Sequence, residues 1–221
     1  MLAGVIFDID GTLIDSVEGH AKAWVAAFEE HGIAVDLGEV RRQIGKGADQ
    51  LLPYFLDTAN AERVGKAIDA RQGEVFKARY LDEVRAFPRV RELFERLRRD
   101  GVKCVLGSSG KPADVEQAEA IADIRGLVDG MATSQDVHRS KPSPDIVQAA
   151  LDRLKPASPS QCLFVGDTPW DAEAAKKAGV MAIGFGSPVF SDDELRVAGC
   201  RRVFASIADV LDHYSEVMGL V

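Results

Sequence analysis

Residues 2–12 have the sequence LAGVIFDIDGT, in which an apolar run ends on two aspartates and a turn. The β-branched and aromatic residues of this run predict a buried strand over residues 2–7. Alternate residues of an extended chain point to the same side, so Asp8 and Asp10 face one space. Gly11 then allows the chain to bend sharply. The segment predicts a strand with two carboxylates at its carboxyl end, although Asp-Gly-Thr is also ordinary turn chemistry and the acids could cap a helix.

Further apolar runs of this kind occur later in the chain, at residues 102–106, 163–165 and 181–183. Helical patterning separates them. Residues 90–97 carry an apolar stripe of helical spacing between Pro88 and Gly101, which predicts a helix with one buried face. Another helix is predicted to begin at Pro169. Strands that alternate with helices predict an α/β fold, with a Rossmann-like parallel sheet and helices on both of its faces.

Residues 15–85 break this alternation, because they show helical patterns and no convincing strand. The first helix is predicted to be capped by Asp15 or Ser16. Further helices are predicted at residues 37–44, 49–58 and 60–80. We expect residues 15–85 to form an all-α cap domain inserted into an α/β catalytic core that comprises residues 1–14 and 86–221.

The composition of the 221 residues argues against several kinds of protein. The formal net charge of -8 disfavours nucleic-acid binding, which usually requires a basic surface. No apolar run approaches the ~20 residues that span a bilayer, and the amino-terminal sequence lacks the features of a secretory signal. Three widely spaced cysteines suggest neither a disulfide framework nor a zinc site. We therefore expect a cytoplasmic protein, a monomer or a weak homodimer, without a nucleic-acid or membrane partner.

Later segments add candidates for cation and phosphate binding. Asp167 ends the predicted strand at 163–165, and Asp171 follows it on a helix. Acidic ends of two parallel strands can converge on one hard cation, and magnesium prefers such oxygen ligands. Ser108 and Ser109 follow another strand, and Lys141 precedes a helix start. Each has an ordinary explanation when taken alone: a helix cap, a turn between strand and helix, and a solvated lysine.

Asp8, Ser108, Lys141 and Asp167 occur in this order, each at or near a predicted strand end. The arrangement resembles the four motifs of the haloacid dehalogenase-like hydrolase superfamily, in its phosphoglycolate phosphatase and β-phosphoglucomutase-like branch, over essentially the whole chain. The resemblance implies an α/β core with a mobile helical cap. It also implies that Asp8 attacks phosphorus, that Asp10 serves as general acid and base, and that Lys141 offsets negative charge.

The same resemblance implies a magnesium site, whose ligands would be Asp8, the backbone carbonyl of Asp10, and Asp167. Asp171 would act through water or behind the direct ligands. Ser108, Ser109 and the N–H groups that follow would bind the oxygens of the transferring phosphoryl group.

Two cap residues are candidates for contact with substrate. His20 matches a cap histidine of the β-phosphoglucomutase branch and shares a helix face with Trp24. Lys46 lies in the segment Gly45-Lys46-Gly47, a flexible basic tip between two predicted helices. The ordinary interpretations are a surface histidine and a turn that connects helices.

Together these features predict a magnesium-dependent phosphatase that hydrolyses a small phosphate monoester through an aspartyl phosphate. The substrate is expected to be a sugar phosphate or a phosphoglycolate-like compound. A phosphosugar mutase of the β-phosphoglucomutase type is the alternative, because it shares the core motifs. A third hypothesis is a phospho-acceptor domain without catalytic turnover, which the long helical insertion after the first strand disfavours.

Overall fold

The computed structural model describes residues 1–221 and contains a six-stranded parallel sheet flanked by helices. The strands in chain order are β1 (Gly4–Phe7), β2 (Ile14–Asp15), β3 (Arg85–Ala86), β4 (Lys103–Gly107), β5 (Gly130–Ala132), β6 (Cys162–Gly166), β7 (Met181–Phe185) and β8 (Cys200–Phe204). The large sheet has the order β5-β4-β1-β6-β7-β8, while β2 and β3 form a separate antiparallel pair. The predicted α/β fold is confirmed.

Eleven α-helices surround and extend this sheet. They are α1 (Val17–Glu30), α2 (Leu37–Gln43), α3 (Ala48–Phe55), α4 (Thr58–Arg79), α5 (Val90–Arg99), α6 (Pro112–Ile121), α7 (Asp145–Leu154), α8 (Pro169–Lys177), α9 (Asp192–Ala198), α10 (Ile207–Asp212) and α11 (Tyr214–Met218). None of them combines the length and apolar character that crossing a bilayer requires.

β1 lies in the middle of the sheet and is buried along its whole length. Its side chains alternate between two apolar layers, as a strand covered on both faces requires. Phe7 belongs to a layer of 30 buried residues, and Ile6 to a layer of 16 on the other face. Phe7 is level with Leu106 of β4 and Val165 of β6. The residues that follow these three strands therefore emerge at one edge of the sheet.

The helical insertion comprises α1 to α4 and has an apolar cluster of ten buried residues of its own, including Phe28 and Leu51. The predicted absence of strands between residues 15 and 85 holds except at the two ends, where β2 and β3 pair and bring the ends together. Ser16 occupies the N-cap position of α1 but makes no side-chain bond to the helix. Its hydroxyl donates to Asp10 instead, at 2.5 Å.

Two strands of the large sheet were not predicted from the sequence. β5 has only three residues, two of them glycine and alanine, so it lacks the β-branched content that marks a strand. β8 is an edge strand in which Arg201 and Arg202 are exposed, and these charges interrupt its apolar pattern. Charged residues are common on edge strands because they discourage pairing with another chain.

Candidate active site

Asp8 follows β1 at the carboxyl edge of the sheet and is almost fully buried. Its backbone N–H continues the ladder by donating to the carbonyl of Val165 at 2.9 Å. Thr12 lies in the turn that follows and links it to the end of β6, because its hydroxyl donates to Asp167 Oδ1 at 3.0 Å. Gly11 has φ +86°, and a Cβ there would overlap the Asp167 carboxylate. The turn therefore requires glycine and brings the ends of β1 and β6 together.

Lys141 is fully buried, and its ammonium group lies between two carboxylates. Nζ donates to Asp8 Oδ1 and to Asp171 Oδ1, the second bond being 2.7 Å long. The other oxygen of Asp171 accepts from the hydroxyl of Thr168 at 2.6 Å and from its backbone N–H at 3.1 Å. Asp171 thus uses one oxygen to cap the first turn of α8 and the other to pair with Lys141.

The buried carboxylates of the site outnumber its buried ammonium group. Carboxylate oxygens of Asp8, Asp167 and Asp171 lie within 4.8 Å of one another, and Lys141 is the lysine paired with this cluster. Burial raises the pKa of Asp8 to about 7, against the opposing effect of Lys141 and with a further contribution from Asp171. Burial and the neighbouring Asp8 and Asp171 carboxylates raise the pKa of Asp167 as well. When all three carboxylates are ionised, they and the one ammonium leave two negative charges, and oxygen donors of this kind suit magnesium.

Asp10 sits beside this cluster and is partly exposed to the cavity. Burial opposes its ionisation, but His20 and the hydroxyl of Ser16 outweigh that effect and lower the pKa of Asp10. His20 Nε2 lies 3.3 Å from Asp10 Oδ1, and its other ring nitrogen lies 3.1 Å from the side-chain amide nitrogen of Gln72. The imidazole also stacks on Phe76, with 3.7 Å between ring centroids. An amide donor at Nδ1 leaves Nε2 to donate toward Asp10.

Ser108 and Ser109 lie where β4 ends and line the same cavity as Asp8 and Asp10. Ser108 is buried, and its hydroxyl accepts from the N–H of Gly110 at 3.0 Å. The hydroxyl of Ser109 donates to the carbonyl of Gly45 in the helical insertion at 3.3 Å. Ser109 therefore joins the core to the insertion, a contact that the sequence did not predict.

The cavity lies between the helical insertion and the core and has a volume of about 360 Å³. His20 and Lys46 of the insertion line it together with the core residues, so the structure brings both predicted cap residues to the site. Two further cavity lysines form ion pairs across it. Lys77 pairs with Asp114 at 2.7 Å, and Lys111 pairs with Asp69 at 3.1 Å.

A model of the haloacid dehalogenase-like hydrolases matches residues 2–179. The chain belongs to this family. It is 31% identical to a phosphoglycolate phosphatase of Escherichia coli, over 95% of this chain and 91% of the relative. It is 30% identical to a validoxylamine A 7′-phosphate phosphatase of Streptomyces hygroscopicus subsp. limoneus, over 81% of this chain and 83% of the relative.

Solved structures agree with this assignment. A hydrolase from Pseudomonas syringae has a TM-score of 0.88 and 28% identity, covering 97% of this chain and 99% of that one. A protein from Bacteroides vulgatus, provisionally described as a β-phosphoglucomutase, shares the fold with a TM-score of 0.86 and 22% identity, over 97% of this chain and 88% of that one. The resemblance to this branch is confirmed, and so is the prediction of an enzyme of the hydrolase class.

Several contacts of the hydrolase's site were not predicted. Ser140, next to Lys141, donates to Asp49 of the insertion through its N–H at 3.0 Å and its hydroxyl at 2.5 Å. The same hydroxyl accepts from the N–H of Gly47 at 2.9 Å. The position of Ser140 beside the predicted lysine was the available signal, but its partners are 91 and 93 residues away in the sequence.

Lys141→Met is expected to lower the free energy of unfolding of the hydrolase by about 3–5 kcal/mol in metal-free buffer at neutral pH, because it leaves buried carboxylates without their cation. Urea denaturation measures the loss. Lys155→Met is the matched control, since Lys155 forms a 2.7 Å pair with Asp152 at an exposed position. That change should cost no more than about 1 kcal/mol. Equal losses in the two variants would show that Lys141 does not compensate the buried carboxylates.

Proposed function

We propose that the hydrolase is a magnesium-dependent phosphatase that hydrolyses a small phosphate monoester through an aspartyl phosphate on Asp8. The observation that carries the proposal is the position of Asp8. Its carboxylate lines the cavity and is held on one oxygen by the buried ammonium of Lys141. The second oxygen accepts only a long bond of 3.5 Å from the hydroxyl of Thr12, so it is available for attack on phosphorus, and Lys141 offsets charge that the phosphoryl group brings.

In the first step, an Asp8 oxygen forms a bond to phosphorus while the bond from phosphorus to the ester oxygen breaks. Asp10 gives a proton to the departing alkoxide, which leaves as an alcohol. In the second step, Asp10 takes a proton from water as the water oxygen attacks the aspartyl phosphate, which regenerates Asp8 and releases inorganic phosphate. His20 and Ser16 hold the Asp10 carboxyl in place for both transfers.

The lowered pKa of Asp10 in the free protein fits the second step, in which it acts as a base. For the first step Asp10 must carry a proton. A phosphoryl group with its negative charge raises the pKa of a nearby carboxyl, so substrate binding favours the protonated form.

We propose that the magnesium ligands are the carboxylates of Asp8 and Asp167 and the backbone carbonyl of Asp10. Asp171 is better suited to a position behind them, because Lys141 and Thr168 already occupy both of its oxygens. A bound magnesium ion would supply positive charge against the attacking carboxylate and the phosphoryl oxygens. Ser108, Ser109 and the N–H groups that follow are proposed to bind those oxygens.

Residues 15–85 are proposed to act as a cap domain over the core of residues 1–14 and 86–221. Closure of such a cap excludes water from the phosphoryl group and adds contacts to the rest of the substrate. A cavity of about 360 Å³ falls in the range of sites for small organic molecules. The named activities of the relatives share a phosphate monoester, as in phosphoglycolate and validoxylamine A 7′-phosphate. We propose the same class here, either a sugar or cyclitol phosphate or a small phosphorylated acid.

One observation favours a phosphosugar mutase as a second candidate. His20 contacts Asp10, and this histidine matches a cap histidine of the β-phosphoglucomutase branch. Formation of glucose 6-phosphate from glucose 1-phosphate, primed with a bisphosphate, would support the mutase. Release of inorganic phosphate without isomerisation would reject it. A cytoplasmic location, a monomer or weak homodimer, and the absence of a nucleic-acid partner stay predictions of the sequence.

Asp8→Asn is expected to abolish phosphate release from a panel of small phosphate esters, because an amide is a poor nucleophile. The variant should stay folded, since the exchange keeps the shape of the side chain. Phosphate release is measured with magnesium and then with chelator, with circular dichroism as the control for folding. Metal-dependent release that persists in the purified variant would refute Asp8 as the nucleophile.

Lys46→Met is expected to raise KM about tenfold for esters that Lys46 contacts and to lower kcat less, because a charge-assisted hydrogen bond contributes to binding. Phosphoglycolate and ethyl phosphate form a matched pair with and without a carboxylate. Lys111→Met is the control variant, since that cavity lysine is already paired with Asp69. Unchanged kinetics of Lys46→Met across the panel would assign Lys46 a purely structural role.

A further inference from the structure

We propose that Trp170 is a positioning residue that holds Lys46 over the site and thereby sets the affinity for the anionic substrate. The inference rests on the proposed function, because it concerns how the phosphatase site recognises its substrate. Trp170 itself is not among the residues that line the cavity, whereas Lys46 is. Any effect of Trp170 on substrate binding must therefore pass through the residues it contacts.

The ammonium group of Lys46 lies 3.8 Å from the centroid of the Trp170 ring. This distance is well within the ~6 Å over which an aromatic ring attracts a cation, and tryptophan provides the strongest attraction. The ring of Tyr54 lies at 6.0 Å, the outer limit of such a contact. Lys46 also donates a hydrogen bond to Gln43 Oε1 at 2.6 Å. The ring face and one neutral amide oxygen are thus its principal partners.

Lys46 differs from the other lysines of the cavity in having no carboxylate partner. Lys77 and Lys111 are each paired with an aspartate. The side chain of Lys46 is partly buried, which lowers the pKa of its ammonium group, and the carboxylate of Glu173 opposes this effect. A ring face stabilises such a cation without neutralising it. The arrangement keeps a positive charge in the cavity wall that an anionic group of the substrate can meet.

Trp170 also fixes the backbone that carries Lys46. Its indole N–H donates to the carbonyl of Arg42 at 3.2 Å, and its ring meets that of Phe190 edge-on, with 6.2 Å between centroids. Arg42 in turn lies over the same Phe190 ring and donates to the carbonyl of Val189. Trp170 therefore anchors the segment from Arg42 to Lys46 to the core in two ways. Its ring face contacts the ammonium of Lys46, and its indole N–H binds the backbone of Arg42.

The position of Trp170 in the sequence links two cations of the site. Trp170 and Asp171 are neighbours in the first turn of α8. Asp171 binds the ammonium of Lys141, and Trp170 binds that of Lys46. One helical turn thus sets the positions of the cation that serves Asp8 and of the cation proposed to serve the substrate.

A double-mutant cycle tests the inference. Trp170→Leu and Trp170→Phe are each prepared twice, once with the native Lys46 and once together with Lys46→Met. All variants also carry Asp8→Asn, which prevents hydrolysis. Isothermal titration calorimetry with magnesium measures the dissociation constants of inorganic phosphate and of phosphoglycolate. Tyr54→Leu is the control for an aromatic residue at the edge of the contact.

With Lys46 present, Trp170→Leu should weaken binding about 3- to 30-fold, the range for loss of a partly desolvated cation–π contact. Trp170→Phe should retain part of the affinity, because it keeps a ring face, and Tyr54→Leu should leave it unchanged. In Lys46→Met the Trp170 substitutions should have no further effect. Weakening for both probes assigns Lys46 to the phosphoryl group, and weakening for phosphoglycolate alone assigns it to the carboxylate; both support the inference.

Equal weakening with and without Lys46, or no weakening for either probe, would overturn the inference. If Trp170→Leu does not fold, the Trp170→Phe cycle decides by the same criterion. Fluorescence provides a readout that needs neither binding nor turnover, because the chain has only two tryptophans. In Trp24→Phe, emission comes from Trp170 alone and should change when Lys46→Met is added. Unchanged emission would overturn the contact even if phosphate release establishes the phosphatase.

Discussion

The structure of the site depends on one buried ammonium group, that of Lys141, between Asp8 and Asp171. Neither carboxylate has appreciable contact with water, so each would be costly to bury without this partner. Burial raises the pKa of Asp8 to about 7, because the ammonium of Lys141 offsets only part of the effect of burial. The remaining negative charge has two proposed uses: to attract a divalent cation, and to provide a carboxylate with enough nucleophilic character to attack phosphorus.

The same constraint organises the contacts around Lys141. Ser140 precedes it and joins both Asp49 and Gly47 of the helical insertion. Asp171 lies in the first turn of α8, and its neighbour in that turn, Trp170, lies under Lys46. Residues that fix the charge of the core are thus adjacent in sequence to residues that fix the insertion. This adjacency gives closure of the proposed cap a direct physical connection to the position of the reacting carboxylate.

The sequence predicted those features that short segments carry by themselves. Asp8 and Asp167 could be placed at one edge of the sheet because each follows an apolar run, and parallel strands end on the same side. The helical insertion was predicted from its apolar periodicity. β8 was missed because Arg201 and Arg202 are exposed within it. The His20–Gln72 contact was missed because the two residues lie on different helices, 52 residues apart in the sequence, and such a contact leaves no local pattern. The complete burial of Lys141 is likewise set by tertiary structure, since lysines are usually exposed.

Trapping the covalent intermediate would test whether Asp8 is the nucleophile. The enzyme is mixed with magnesium and a substrate that it hydrolyses, quenched in acid within one turnover, digested, and mapped by mass spectrometry. Attack by Asp8 should leave phosphate on the peptide that contains this residue, in a linkage that hydroxylamine cleaves, as expected of an acyl phosphate. Absence of any phosphorylated peptide under conditions of rapid phosphate release, or phosphate on another residue, would contradict this role of Asp8.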